Sequence, residues 1–374
     1  GALSKQIVNT AIPYVITEND CGTNRGIALE SSDSDIIDRF TATPTKVGKK
    51  FIPAGTLVTP NLQSMFRTAK VSRVSVRSPL KCRSKKGMCS QCYGVLDGGS
   101  PIKIGTNIGV IAGQSIGERG TQLSMRTFHS GGIVDVFGKG GMADTGGIDR
   151  VSEILKMPAI LPDKATISTA LGKVSSIAKS DVGGWNVTIG AKDHYVPSHK
   201  ELRVKKGDDV KKGQALSSGK IDPRELLEQT NIDSVQRYLS GELHNIYKSE
   251  GIKKRNVEVV VKALTNLGRV TDPGDADELV RGDYVQLNYA ESLNRENKYK
   301  NPVKIAPLLR GVETLPLDSS TDWMARLQYR RLKETYTRAV NEGWSSDIHG
   351  LSPVPGIAYG AELGKPPEGS ESPY

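Results

Sequence analysis

Residues 109–132 read Gly-Val-Ile-Ala-Gly-Gln-Ser-Ile-Gly-Glu-Arg-Gly-Thr-Gln-Leu-Ser-Met-Arg-Thr-Phe-His-Ser-Gly-Gly. Within this stretch Gln122, Met125, Arg126 and His129 stand at i, i+3, i+4 and i+7, which on a helix is one face. That face carries an amide, a soft apolar finger, a fixed cation and a titratable imidazole, a set able to grip a base, a sugar and a triphosphate together. Met and His at helical spacing ordinarily belong to a core. Here Leu123 and Phe128 can supply the buried side, leaving the Gln/Met/Arg/His stripe free. Gly117 and Gly120 before it, and Gly131 and Gly132 after it, predict a segment hinged at both ends.

The chain has four cysteines. Cys89 and Cys92 form a C-x-x-C knuckle, Cys82 precedes it by seven residues, and Cys21 is remote. Four thiolates complete a closed tetrahedral structural zinc site. Disulfides are the competing reading, but no secretory leader is present and a basic chain of intracellular character is a poor place for them.

The stretch from Thr121 to His129 closely resembles the trigger loop of the β′ subunit of bacterial-type multisubunit RNA polymerase. One departure is Arg119, where that family usually has proline, which puts the expected helix break at this point in question. The family also has one distant cysteine followed by C-x6-C-x2-C, so the resemblance implies a structural Zn²⁺ held by Cys21, Cys82, Cys89 and Cys92. It extends over most of the chain: Leu3 to Cys21 is similar to the end of the bridge helix, Thr145 to Pro158 to the segment after the trigger loop, and Trp323 to Gly360, more loosely, to the C-terminal helical region.

The family's Mg²⁺-binding Asp-x-Asp-x-Asp loop has no counterpart here. Asp33 and Asp35 come nearest, lack the third carboxylate, and read as a solvated loop. The resemblance therefore implies a C-terminal β′-like fragment, split as in plastids or large bacteriophages. It would work with an N-terminal β′-like chain that binds the catalytic Mg²⁺, with β-like and other polymerase subunits, and with template DNA, RNA transcript and NTPs. In that setting Gln122 would meet the ribose, Met125 the incoming base, and Arg126 and His129 the phosphates. The expected activity is nucleotidyl transfer by the assembled DNA-directed RNA polymerase, intracellular and not by this chain alone. A non-catalytic, zinc-stabilised nucleic-acid-binding or assembly module is the alternative. It explains the charge and the cysteines but not the completeness of the helical face.

Composition agrees with a chain that works among partners. Over 374 residues the formal net charge is +10, the apolar fraction 37%, the aromatic fraction 5%, and there are 40 glycines. The positive balance favours a polyanionic partner, and Arg67, Lys70, Arg73, Arg77, Lys81, Arg83, Lys85 and Lys86 cluster at the approach to the knuckle as candidate phosphate contacts. No apolar run is long enough to span a membrane.

The fold expected is mixed α+β and multi-module. A bridge-helix end (1–20) is followed by a zinc-binding module (21–100) with short strands over 51–80. Next come a trigger-loop region (101–157), with a helix from Ile102 and a descending half over 133–147, and a β-rich barrel or sandwich segment (158–222). A C-terminal helical or mixed region (223–362) and a disordered tail (363–374) complete the chain. Lys205 to Gly213 reads as an exposed hairpin. Asp222-Pro-Arg-Glu reads as a capping box opening a helix, followed by a buried stripe of Val235, Leu239, Leu243 and Ile246. Asn256 to Leu264 reads as a short buried element. Trp323 to Val340 reads as a basic amphipathic helix burying Trp323, Leu327, Tyr336 and Val340.

Overall fold

A computed structural model of the chain describes residues 2–96, 98–129, 147–315 and 332–343, with backbone only at 121–129, 249, 332, 334, 335 and 338. The chain divides into two compact units, one formed by residues 1–155 together with 243–374 and the other by 156–242.

The first unit opens with helix α1 (Ala2–Ala11), which ends before Pro13, a residue that cannot continue a helix. Strand β1 (Ile16–Glu18) follows, then β2 (Ile27–Glu30), β3 (Thr45–Val47) and β4 (Lys50–Ile52). Where strands are expected over 51–80, the middle is instead helix α2 (Pro60–Thr68). The physical signal was local: the Thr59 hydroxyl accepts from Leu62 N, Pro60 occupies the first turn, and Leu62 and Phe66 share an inward face. Strand β5 (Arg73–Val76) pairs antiparallel with β2, and these elements close over Leu29, Val58, Phe66, Val74 and Val76.

Strand β6 (Met88–Cys89) runs parallel to β1 and leads into the short helix α3 (Ser90–Tyr93). Helix α4 (Ile108–His129) begins six residues later than the Ile102 expected from sequence, because the Asn107 side chain accepts from Val110 N at 2.9 Å and caps it there. It runs unbroken through Gly117, Arg119 and Gly120. Helix α5 (Gly147–Lys156) buries Val151, Ile154 and Leu155. Of the expected descending half, residues 133–146 lie outside the described residues.

The second unit is β-rich, as expected. Strands β7 (Gly172–Lys179), β8 (Trp185–Ile189) and β9 (Lys192–Val196) form an antiparallel meander. The β7–β8 turn needs Gly183 and Gly184 at φ near +84° and +83°, where a Cβ on Gly184 would strike the Val196 carbonyl. The 205–213 segment is not a free hairpin. Two tight turns, with Gly207 and Gly213 at positive φ, flank strand β10 (Asp209–Val210), which joins the edge of β7 and buries Val210. Val174, Val187, Ile189, Val196, Val204 and Leu216 complete the core. Helix α6 (Pro223–Gln229) is capped by Asp222, which accepts from Arg224 N at 2.9 Å. Glu225 does not close the box; it pairs with Lys164 at 2.7 Å. Helix α7 (Ile232–Tyr247) carries the chain out of this unit, with Val235, Leu239 and Leu243 buried and Ile246 half-buried.

Back in the first unit, helix α8 (Lys254–Thr265) is buried almost throughout, including Arg255, Glu258 and Lys262. Strands β11 (Leu267–Asp272), β12 (Tyr284–Gln286) and β13 (Lys304–Leu308) form a sheet in the order β12-β11-β13, with helix α9 (Leu287–Asn297) packed on it. Helix α10 (Leu332–Glu342) corrects the expected buried side: Ala339 faces inward, which turns Tyr336 and Val340 outward at 55% and 63% exposure. Trp323 and Leu327 lie outside the described residues, as does the 363–374 tail. No helix among the described residues is long and apolar enough to cross a membrane.

Candidate metal centre and the helix beside it

The β1–β6 register, Ile16 opposite Met88 and Glu18 opposite Cys89, lays the residues after β1 against the knuckle. Cys21 thereby meets a site otherwise built 60 to 70 residues later. The four sulfurs lie within 4.8 Å of one another, and Cys21 Sγ is 3.7 Å from Cys92 Sγ. Sulfurs around a tetrahedral zinc, at about 2.3 Å from the ion, stand roughly 3.8 Å apart, so the donor set fits. All four are free thiols; Cys82, Cys89 and Cys92 are buried and Cys21 is half-buried.

Backbone amides are already aimed at the sulfurs. Cys92 N donates to Cys89 Sγ at 3.3 Å, Cys89 N to Cys82 Sγ at 3.4 Å and Arg83 N to Cys21 Sγ at 3.4 Å. The thiols titrate against each other: hydrogen bonds from the other three hold Cys21 well below the usual thiol range, whereas the contacts with Cys21 and then Cys82 push Cys89 and Cys92 up. Four sulfurs this close carry four charges only around a cation.

Arg77, grouped in sequence with the phosphate-facing cations, points the other way. It is buried, its Nε donates to Cys92 Sγ at 3.4 Å, and its Nη2 reaches Cys21 Sγ at 3.6 Å and Cys89 Sγ at 3.9 Å. The Thr23 carbonyl and the Asp20 carboxylate hold the rest of the guanidinium. Sequence reasoning missed this, and period two could not have found it: Val74 and Val76 are the inward positions of β5, and Arg77, just past the strand, shares the parity of exposed Arg73. Arg67, Lys70 and Arg73 remain exposed, Lys81, Arg83 and Lys86 are half-buried, and half-buried Lys85 pairs with Glu296 at 3.1 Å.

Helix α8 braces this module. Arg39, 1% exposed, makes a two-pronged bond to Glu258 at 2.7 and 3.0 Å, and Ser78 Oγ donates to the same carboxylate at 2.7 Å. Lys262 Nζ donates to Asn288 Oδ1 at 2.8 Å, and Asn288 Nδ2 to the Cys82 carbonyl at 2.9 Å. Asp35 is not in a solvated loop: its carboxylate accepts from Lys254 N at 2.8 Å and faces His244 at 3.2 Å, while Asp33 caps the turn at Ser34–Ile36. Both nearest candidates for a Mg²⁺ loop are thus spent on structure.

Beside the module, α1 and α4 pack antiparallel on a stripe of glycines. A Cβ on Gly109 would overlap the Ala11 carbonyl at 1.7 Å, one on Gly113 would sit 2.9 Å from Val8 Cα, and one on Gly117 2.7 Å from Ser4 Cβ. Three elements then fasten α4 at 115–117. Ser4 Oγ donates to the Gly117 carbonyl at 3.0 Å, Tyr247 Oη to the Ile116 carbonyl at 3.2 Å, and Asn256 Nδ2 to Ser115 Oγ at 3.3 Å. Gly117 is therefore a packing residue, and the helix runs past it unbroken. Gln122, Met125, Arg126 and His129 lie on the continuing α-helical backbone, and their side chains lie outside the description. Gly131 and Gly132 lie outside the described residues.

Residues 1–313 match the family model RNA polymerase Rpb1, domain 5. The chain is similar to the DNA-directed RNA polymerase subunit beta' of Ureaplasma urealyticum serovar 10, with 34% identity over 94% of this chain and 28% of the relative. It is 30% identical to that of Lysinibacillus sphaericus over 94% of this chain and 30% of the relative, and 31% identical to that of Streptococcus agalactiae serotype Ia over the same shares. The chain spans less than a third of the length of these relatives.

Proposed function

From the premise that the chain belongs to the RNA polymerase Rpb1 domain 5 family, we propose that it is a C-terminal β′-like part of a DNA-directed RNA polymerase and supplies the trigger loop of that enzyme. The observation that carries this reading is α4: glycine-packed and fastened over its first half, then continuing as helix through the residues that form the Gln122, Met125, Arg126 and His129 face. A fixed base with a continuing helical end suits a cover that closes on a substrate held elsewhere. Template, transcript, NTPs and the other subunits, including the one holding the catalytic Mg²⁺, are the partners this implies. Leu3 to Thr10 would be the end of the bridge helix, lying beside the RNA–DNA hybrid.

Zn²⁺ fits the cysteine cluster and, with all four positions filled by sulfur, would be structural. The ion would fix the turn between β1, β6 and α3. The chemistry at the distal face is positioning and charge stabilisation: Gln122 toward the sugar, Met125 on the base, Arg126 and His129 toward the phosphates.

The test is single-turnover nucleotide addition on a pre-formed template–RNA scaffold with the full set of partner chains. If His129 donates a proton, His129→Ala slows addition by about 10² to 10⁴-fold and His129→Gln is equally slow; a positional role lets Gln keep most of the rate. Gln122→Ala is expected to reduce discrimination between ribo- and deoxyribonucleotides. Unchanged rates and sugar selectivity across these variants, or failure to co-purify with a chain carrying an Asp-x-Asp-x-Asp loop, would favour the non-catalytic module instead.

A further inference from the structure

The four-sulfur centre has a fifth side chain. We infer that Arg77 is the outer-shell cation of the metal centre, which sets how tightly the metal is held and how reactive the sulfurs are. The inference rests on the zinc reading above and deepens it.

Zn²⁺ with four thiolates carries a net double negative charge, and here three of the four sulfurs are buried. Burying uncompensated charge is strongly unfavourable even after relaxation, so such a centre needs positive charge or donors around it. Backbone amides supply part of this. Arg77 adds a full positive charge in hydrogen-bond contact with the sulfurs, reaching Cys92 at 3.4 Å, Cys21 at 3.6 Å and Cys89 at 3.9 Å. A guanidinium suits the task because its planar fork holds several acceptors at once and stays charged.

Its placement is over-determined. The Arg77 amide donates to the Phe40 carbonyl at 2.7 Å, Arg39 Nη1 reaches the Arg77 carbonyl at 3.4 Å, and the far side of the fork is tied to Thr23 and Asp20. Asp20 and Thr23 flank Cys21, so the same guanidinium pins the remote ligand to the knuckle. Cys21 is the sulfur open to solvent, and Arg77 lies against it.

The experiment uses the full chain, loaded with Zn²⁺ or Co²⁺, as wild type, Arg77→Met, Arg77→Lys and Ser78→Ala. Zinc release to a chromogenic chelator is timed with and without hydrogen peroxide, and the sulfur-to-cobalt charge-transfer band is recorded. Removing the charge raises the sulfur donor orbitals, so Arg77→Met is expected to shift the band to longer wavelength. It is also expected to weaken metal retention about 10- to 100-fold, the range for outer-shell partners, with release accelerated further by peroxide. Arg77→Lys keeps the charge but not the fork and should fall between; it also serves if Arg77→Met does not fold. Ser78→Ala breaks a neighbouring buried bond to Glu258 without touching sulfur and is expected to lower stability while leaving the band in place. A wild-type chain that binds no metal would overturn the zinc reading itself. A metal-bound wild type whose band and release are unchanged in both Arg77 variants would overturn the assignment of Arg77 alone.

Discussion

Gly109 and Gly241 both lie inside helices, and the same added methyl group acts on them with opposite sign. At Gly109 a Cβ would fall on the Ala11 carbonyl, a backbone atom that yields only if α1 moves away from α4. Overpacking of this kind costs about 1 to 3 kcal/mol, so Gly109→Ala is expected to lower the thermal midpoint of the first unit. At Gly241 nothing lies within 4 Å of the added carbon and its φ is ordinary. Gly241→Ala is therefore expected to stabilise by about 0.4 to 1 kcal/mol through a less flexible unfolded chain. Calorimetry on both variants checks the pair, and a Gly109→Ala protein as stable as wild type would mean the helices are not in such close contact. The four-cysteine cluster was legible residue by residue, since four cysteines at those spacings admit few arrangements. Arg77 was not, because it follows β5 on the same parity as exposed Arg73, and its inward course is set by the chain leaving the strand.

At the level of elements, α8 is the clearest case of a segment read correctly as buried without its helical form or its buried charges being foreseen. Its apolar run over 257–264 reads as buried, and it is. What fixes it, however, is charge: Glu258 against Arg39 and Ser78, Lys262 against Asn288, and the Asp35 carboxylate at its first amide. Removing one member of a buried pair leaves the other without compensation, at about 3 to 5 kcal/mol, a cost expected of Glu258→Gln in denaturant unfolding. Asp35 adds a pH dependence. Burial pushes its pKa up, but the His244 hydrogen bond and the Lys254 amide outweigh that and hold it below the usual carboxylate range. A carboxyl depressed in the folded state contributes stability above its unfolded pKa, near 3.9, which is lost as pH falls through the folded value. Asp35→Asn is expected to flatten the acid limb of stability below about pH 4 and to leave the neutral limb lower and level. Helix α2 escaped notice because alternating β-branched residues on either side masked a Thr-Pro start.

In the whole molecule the two units have separate reasons to be folded. The first contains all four cysteines, whereas the second, residues 156–242, has none and owns a core of Val174, Val187, Ile189, Val196 and Leu216. Structural zinc contributes folding free energy directly. Chelation is therefore expected to raise amide hydrogen exchange across 15–96 while β7, β8 and β9 keep their protection. Equal loss in both units would refute independent cores. The β-rich character of 165–220 was plain from period-two alternation and glycine turns. That the first unit is built from two separated stretches was not, because no local pattern records a partner beyond the intervening segment.

That discontinuity has a consequence during synthesis. Arg39 and Glu258 are 219 residues apart, and the ribosome adds about 5 to 20 residues per second. Arg39 therefore leaves the peptidyl-transferase centre roughly 10 to 40 seconds ahead of its partner. The 156–242 unit is contiguous and can close as soon as it emerges. The nascent chain thus acquires its inserted unit before it completes the one that began first, and in that interval the four cysteines and the Arg39 guanidinium are exposed to the cell without α8.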